Sequence, residues 1–343
     1  MTDDPTRLDI PAVETWLTAY LPGFKGPVTA EKFAVGQSNP TFRLTTPDHS
    51  YVLRRKPPGV LLKSAHAVER EYRVQAALAG TDVPVAGMHV LCEDPDVIGS
   101  AFYVMDEVKG RHFNLPSLPE LAREDRRPIH AEMARVLAAI HGTDLQATGL
   151  SDYGPEGNYY RRQIDRWSKQ YRASETDSVP EMEELMHWLD THIPPEDGLR
   201  TLAHGDYRID NMLFEPDAPR IAAVLDWELS TIGHPFADVA AVIMQWSMPA
   251  GPEGRGLAGL DRAAEGLMSD AEFIDTYCDH AGLPGIERFG FYQAFTFFRM
   301  AGIIQGVYRR ALDGNASNPE RGRRMGELVP RFAKAGLNAA KSA

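Results

Sequence analysis

Residues 201–228 read TLAHGDYRIDNMLFEPDAPRIAAVLDWE. Asp206 and Asn211 stand five apart as D-x-x-x-x-N, and Asp226 closes the apolar run IAAVL fifteen residues after Asn211. The short apolar segments 211–214 and 221–225 flank EPDAPR and read as a hairpin. A carboxylate at the end of a buried strand is costly unless compensated, so Asp226 is expected to face a cleft. One carboxylate able to take a proton, an amide oxygen and a second carboxylate form an all-oxygen set, which suits a hard cation such as Mg²⁺.

Outward from this stretch the two ends of the chain differ. Val13, Trp16, Leu17 and Tyr20 fall at helical spacing in 11–20. Segments 29–35, 40–46 and 50–55 read as strands separated by the turn-like VGQSN and PDHS. A helix from the N-cap candidate Ser64 to Leu78 follows, then strands over 88–92 and 101–108 that end at Lys109-Gly110. Beyond Gly110 the pattern is helical. Ser117-x-x-Glu120 resembles a capping box, and Met133, Val136, Leu137 and Ile140 share a face ahead of the stop signal Gly142. Residues 151–200 are polar and mixed, with aromatic–basic clusters and a helix near 180–192. Further helices are expected near 235–246, 270–282, 287–312 and 319–338. The expectation is an α+β fold in two lobes: a small antiparallel-sheet lobe over 1–107, a hinge near 106–110, and a larger, mainly helical lobe over 108–343.

The 343 residues carry 36 Lys+Arg and 48 Asp+Glu, a net charge of −12. That charge argues against a general nucleic-acid binder, which needs a basic face. It leaves room for a phosphate-bearing ligand held by a local basic group or a metal. Two cysteines, Cys92 and Cys278, cannot form a disulfide framework, and the acidic start MTDDPTRLDI lacks the features of a secretory signal. The most apolar stretches fall short of the ~18–20 residues of a membrane span. A cytoplasmic protein is expected.

HGDYRIDN followed by VLDWE resembles the aminoglycoside phosphotransferase (choline kinase-like) family, which has the protein-kinase-like fold. VGQSNPTFRL and YVLRRKPPG resemble the branch whose members also occur as the kinase-like part of acyl-CoA dehydrogenase fusion proteins. The resemblance implies ATP and Mg²⁺ as cofactors and a small molecule bearing a hydroxyl as acceptor. It implies Asp206 as catalytic base and Asn211 and Asp226 as Mg²⁺ ligands. Gly36, Gln37, Ser38 and Asn39 would form a phosphate-facing turn, though one glycine alone is a weak signal. Arg54 falls where the family usually has the strand lysine over the α/β-phosphates, and an arginine is not a neutral replacement.

The residues themselves point the same way. Val52 and Arg54 share one strand face, so an adenine wall and a phosphate-binding cation are aligned. Val68, Glu71, Tyr72, Gln75 and Leu78 make one helix stripe, and Glu71 inside it calls for a cation, with Arg54 the natural partner. Met105, Glu107 and Val108 in the hinge would offer backbone groups to an adenine edge. His204 reads as a packed, hydrogen-bonded histidine and His141 as a cap or core residue. Asp238 reads as structural, meeting the N-terminus of its helix and bracing the catalytic loop.

Two other functions fit parts of the sequence. A metal-dependent hydrolase could use His204, Asp206, His234 and Asp238, but that leaves Asn211, Asp226 and the first lobe unexplained. A pseudokinase that binds nucleotide without transfer is kept open by Arg54. A serine hydrolase is excluded, because GQSNP lacks the last glycine of G-x-S-x-G. The acceptor pocket is expected against the catalytic loop, lined by Arg208, Trp227, Glu228, Tyr159, Trp167, Arg299 and Tyr308. With Tyr160, Arg161, Arg162, Arg166, Arg309 and Arg310 this region is aromatic and basic, which suits a hydroxyacyl or other anionic or amphipathic acceptor over a polycationic antibiotic. The competing expectation is that these arginines are solvated charges paired with nearby carboxylates.

Overall fold

The computed structural model describes residues 8–33, 39–57, 66–315 and 318–343. In chain order the elements are α1 (Ile10–Tyr20), β1 (Thr29–Lys32), β2 (Thr41–Thr45), β3 (Ser50–Arg55), α2 (Val68–Leu78), β4 (Met88–Cys92), α3 (Pro95–Ile98), β5 (Phe102–Asp106), β6 (Arg111–His112) and α4 (Arg123–His141). There follow α5 (Tyr159–Ser174), α6 (Pro180–Thr191), β7 (Thr201–Ala203), β8 (Met212–Phe214), β9 (Ile221–Val224), β10 (Thr231–Gly233), α7 (Phe236–Trp246), α8 (Asp270–Ala281), α9 (Phe289–Leu312), α10 (Pro319–Met325) and α11 (Val329–Ala340). No described helix is long and apolar enough to cross a membrane.

The chain divides into two compact units: Met1–Phe113 with Thr143–Leu150 and Asp210–Ser230, and Asn114–Gly142 with Ser151–Ile209 and Thr231–Ala343. The first unit is built on an antiparallel sheet in the order β1-β2-β3-β5-β4. Alternation along the strands sorts its two faces. Phe42, Leu44, Tyr51, Leu53, Phe102 and Val104 join one cluster with Val13 and Leu17 of α1. Helix α1 is started by Asp9, whose Oδ1 accepts the Ala12 N–H at 3.0 Å. On the opposite face the β3–β5 register sets Val52 across from Met105 and Arg54 across from Tyr103. That is the face where Glu71 of α2 meets Arg54 and Tyr103. A second sheet, β6-β8-β9, pairs Met212 with Val224, which carries Asn211 and Asp226 at its end.

The second unit is helical, with the two-stranded ribbon β7/β10. Helix α9 is its axis, with α5, α6, α7, α10 and α11 packed around it, while α8 packs on α4. Two expectations change here. Ser117 and Glu120 form no capping box, since the helix starts only at Arg123 behind Ala122. Residues 159–174, expected as mixed polar chain, are helix α5, whose buried stripe is Tyr160, Ile164, Trp167 and Tyr171. The expected N-cap Ser64 lies outside the described residues, and α2 begins at Val68 behind Ala67.

A full capping box sits at Ser269, whose Oγ accepts the Glu272 N–H while Oε2 of Glu272 accepts the Ser269 N–H at 2.8 Å. Ser269→Ala is expected to lower stability by about 1 kcal/mol, read as a lower urea midpoint with an unchanged slope.

Candidate active site

In the first unit the site is built around one cation. Arg54 Nε stands 3.0 Å from Glu71 Oε2, so the expected pair is present. The same guanidinium bonds Asp226 Oδ1 through Nη2 at 2.9 Å and lies 3.7 Å from Glu228 Oε2. Glu71 is fully buried, and its other contacts are Asn39 Nδ2 at 2.8 Å and the Tyr103 hydroxyl at 3.1 Å. Burial works against the charge on Arg54, but the pull of Glu71, Tyr103 and Asp226 outweighs it and holds the group above its ordinary value. Glu71 moves up to about 7, mainly through burial; Arg54 opposes the rise and the charges of Asp226 and Glu228 add to it. Asp226 has φ +64, a left-handed backbone that aspartate tolerates better than most residues. The Leu225 N–H donates to the Asn211 carbonyl at 2.8 Å, so the hairpin carries Asn211 beside the segment of Asp226.

In the second unit Asp238 organises the loop that bears Asp206. Its Oδ2 accepts the His204 N–H at 2.7 Å and its Oδ1 the Gly205 N–H at 2.9 Å. Gly205 has φ +83, the left-handed region that glycine enters freely, and this turns consecutive amides toward one carboxylate. His141 Nε2 lies 3.4 Å from Asp238 Oδ2, and its Nδ1 is 2.8 Å from the Tyr277 hydroxyl. Burial raises the Asp238 carboxyl, but His141, His204 and the Gly205 amide outweigh it, leaving the group below its ordinary range. His204 is buried, and its Nδ1 accepts the Asp206 N–H at 3.2 Å. The Tyr207 hydroxyl ties the loop to the Met133 carbonyl of α4 at 2.8 Å. Asp206 is thus held on both sides, with Arg208 Nε 3.2 Å from its Oδ1.

Other expected site residues are relocated. Asn39 is not phosphate-facing: it is buried between Glu71 and His66. Gly36, Gln37 and Ser38 lie outside the described residues. Trp227 lines no acceptor site, since its indole is buried and donates to the Val224 carbonyl at 3.0 Å. Glu228 belongs to the Arg54 group. Glu107 uses its carboxylate on Arg43 and Ser50, and its N–H donates to the Ser50 carbonyl. Arg299 and Trp167 do come together: the guanidinium lies 5.8 Å over the indole, and Nη2 reaches the Gly205 carbonyl at 3.3 Å. Arg166 covers the same indole at 5.7 Å. Tyr308, nine residues beyond Arg299 on α9, falls on the opposite side of that helix and packs toward Gly326.

Arg161 pairs with Asp190 and Arg309 with Asp313, while Arg162 donates to the carbonyls of Glu156 and Gly157. For these three the arginine surplus is structural. A cavity of about 230 Å³ is lined by Tyr159, Arg162, Asp197, Arg200 and His234. Arg200 precedes β7 and His204 follows it, which puts this cavity at the end of the strand away from the loop that bears Asp206. His234 Nε2 is 3.1 Å from Asp197, and among the described residues His204, Asp206, His234 and Asp238 do not converge as metal ligands. Sequence reading missed Tyr103, whose signal was its position opposite Arg54 in the strand pairing.

The fold is the protein-kinase-like α+β fold, with its sheet unit, its D-x-x-x-x-N loop and its strand-end aspartate in place. The model of the phosphotransferase enzyme family matches residues 29–292, and the chain belongs to that family. A crystal structure from Ralstonia eutropha JMP134, provisionally described as an aminoglycoside phosphotransferase, is 49% identical, with a TM-score of 0.90 over 98% of this chain and 99% of that one. Aminoglycoside phosphotransferase APH(4)-Ia, in a ternary complex with AMP-PNP and hygromycin B, shares the fold at 19% identity and a TM-score of 0.62, over 97% of this chain and 99% of that one. Acyl-CoA dehydrogenase family member 10 of Mus musculus is 45% identical over 320 residues, 92% of this chain and 30% of that protein. Acyl-CoA dehydrogenase family member 11 of Gallus gallus is 41% identical over 342 residues, 98% of this chain and 44% of that protein. The chain thus spans less than half the length of these curated relatives.

The raised Glu71 pKa has a definite sign in a stability measurement. Unfolded, the group titrates near about 4.3; folded, near about 7. Its contribution is fully present below the unfolded value and is lost as pH rises through the folded one. Urea unfolding without divalent cations is therefore expected to show wild type losing stability relative to Glu71→Gln between pH 4.5 and 7.5. A constant difference across that range would remove the assignment.

Proposed function

We propose that the protein transfers the γ-phosphoryl group of ATP to a hydroxyl of a small anionic or amphipathic molecule, with hydroxyacyl compounds, free or as CoA thioesters, as the leading class. One observation carries this reading. Around Arg54 three carboxylates, Glu71, Asp226 and Glu228, face one guanidinium. With all three ionised the group holds two negative charges in excess, the charge of one divalent cation. Asp226 and Asn211 offer oxygen ligands only, which fits Mg²⁺. They are the residues that would hold it, and the bound ion would neutralise charge on the transferring phosphoryl group.

This chain's own residues do the rest. Val52 would form a wall for the adenine. Asp106 and Glu107 already donate their N–H groups to Gly87 and Ser50, so the Glu107 carbonyl and the Val108 amide remain for the adenine edge in this reading. Asp206 would orient the acceptor hydroxyl and take its proton, on a backbone held by Asp238 and His204. Arg299, over the Trp167 ring and tied to the carbonyl of Gly205, supplies an oriented cation one residue from Asp206. That pairing suits a carboxylate or phosphate on an otherwise apolar acceptor and disfavours a polycation. The bond from Arg54 to Asp226 Oδ1 favours one second reading, a nucleotide-binding module without transfer.

ADP production measured across hydroxy acids, hydroxyacyl-CoA compounds and kanamycin-type aminoglycosides decides between them. Turnover of the aminoglycosides alone would overturn the acceptor class, and nucleotide binding with no turnover of any acceptor would favour the module. With an active acceptor, Asp206→Asn is expected to lower transfer by about 10²–10⁴-fold with ATP affinity nearly intact. Asp226→Ala is expected to abolish the Mg²⁺ dependence of nucleotide affinity instead.

A further inference from the structure

Strand β5 ends at Asp106, on the face of the sheet opposite Arg54, and two histidines converge there. His49 Nε2 lies 3.1 Å and His89 Nε2 2.8 Å from the same oxygen, Asp106 Oδ1. One nitrogen from each ring and one carboxylate oxygen all lie within 4.8 Å of one another, and this is the one such group among the described residues. In a tetrahedral zinc site with bonds of about 2.0–2.1 Å, neighbouring ligand atoms are about 3.3 Å apart. Two of the three edges here are already within about half an ångström of that value.

The local backbone is shaped for this convergence. The β4–β5 register slips between Met88 and Val90, so His89 is the extra residue of a bulge. A bulge re-aims a side chain that regular alternation would place elsewhere. The His89 carbonyl is held by the Tyr72 hydroxyl at 3.4 Å. The His49 N–H donates to Thr46 Oγ1 at 3.0 Å, which fixes the β2–β3 turn. The Asp106 N–H donates to the Gly87 carbonyl at 2.8 Å. A Cβ on Gly87 would lie 2.2 Å from Asp106 Oδ2, so the carboxylate fits only because residue 87 has no side chain. The Tyr51 ring packs against both imidazoles, with centroids 4.2 Å from His49 and 5.3 Å from His89. All three ligand side chains are partly exposed, which leaves a path for an ion.

We infer that His49, His89 and Asp106 form a divalent metal site of the zinc class, with three protein ligands and a fourth position open to solvent. Two imidazoles and one carboxylate suit Zn²⁺ and Co²⁺ better than Mg²⁺, which prefers oxygen. The ion would join the β2–β3 turn, β4 and β5 just ahead of Glu107 and Val108. The inference is independent of the phosphoryl-transfer reading, because it uses none of the residues assigned there.

Without metal, both histidines can satisfy Asp106 as Nε2–H donors; to bind an ion through Nε2 each neutral ring would carry its proton on Nδ1 instead. The test is titration of the whole chain with Zn²⁺ against a chromophoric chelator at pH 7.5, in excess Mg²⁺ to occupy the oxygen ligands. One zinc per chain is expected. His49→Ala and His89→Gln are each expected to weaken it at least about tenfold, since even changes behind the ligands cost about 10–100-fold. Gly87→Ala, which removes no ligand, is expected to weaken it as well. Co²⁺ added to wild type should give the intense visible bands of a four-coordinate ion, absent from both histidine variants. Failure of wild type to compete for zinc, or zinc affinity unchanged in both histidine variants, would overturn the site.

Discussion

The first unit depends on one buried cation. Arg54 is mostly withdrawn from water, and Glu71 beside it is wholly so. Burying a charge is unfavourable by several kcal/mol per ion unless geometry and hydrogen bonds compensate. Here the compensation draws in the rest of the unit. The β3–β5 register supplies Tyr103, the segment before β2 supplies Asn39, and the β8–β9 hairpin supplies Asp226. Removing any one of these leaves a buried polar group without its partner. This also gives the arginine a physical reason. A guanidinium reaches Glu71 through Nε and Asp226 through Nη2 at once, whereas a lysine ammonium is a single point charge. Such a fork suits a group that must join a helix, a strand and a hairpin.

The second unit shows the opposite arrangement, a loop that carries the half-buried carboxylate of Asp206 on a fixed backbone. Asp238 is the inverse of Arg54: a buried anion compensated by backbone amides and by His141. The consequence is that His204, Gly205 and Asp206 are fixed through their own backbone amides. His204 and His141 are buried supports of this loop, one through the Asp206 N–H and the other through Asp238.

How much of this could be read beforehand follows from which signals are local. The period of two along residues 50–55 put Val52 and Arg54 on one face, and the period of 3.6 along residues 68–78 turned Glu71 inward, so their pairing was legible. The D-x-x-x-x-N spacing and strand-end aspartate were legible because they lie in one continuous stretch. Helix α5 was not, since its buried stripe is made of Tyr160, Trp167 and Tyr171 set among arginines, and charge obscured the periodicity. Asn39, Trp227 and Glu228 were misplaced for a different reason. Sequence distance gives no sign that Asn39 lies against Glu71, or that the indole after Asp226 turns into the core while the next carboxylate turns to Arg54. Those choices are set by packing across elements far apart in the chain.

The same distinction bears on the acceptor. Read as a composition, the arginines of 161–166 and 299–310 suggested a broad basic surface. Several of them are consumed locally: Arg161 by Asp190, Arg309 by Asp313, and Arg162 by backbone carbonyls. Exposed pairs of this kind contribute little to stability, yet they remove charge from any ligand. What is left near the loop of Asp206 is a narrower feature, Arg299 over the Trp167 ring and bonded to the Gly205 carbonyl. A guanidinium is planar, and its N–H groups not used on the Gly205 carbonyl lie in one plane, the geometry that matches a carboxylate or phosphate. In the proposed reading this one oriented cation, more than net charge, would receive the acceptor's anionic group, one residue along the backbone from Asp206.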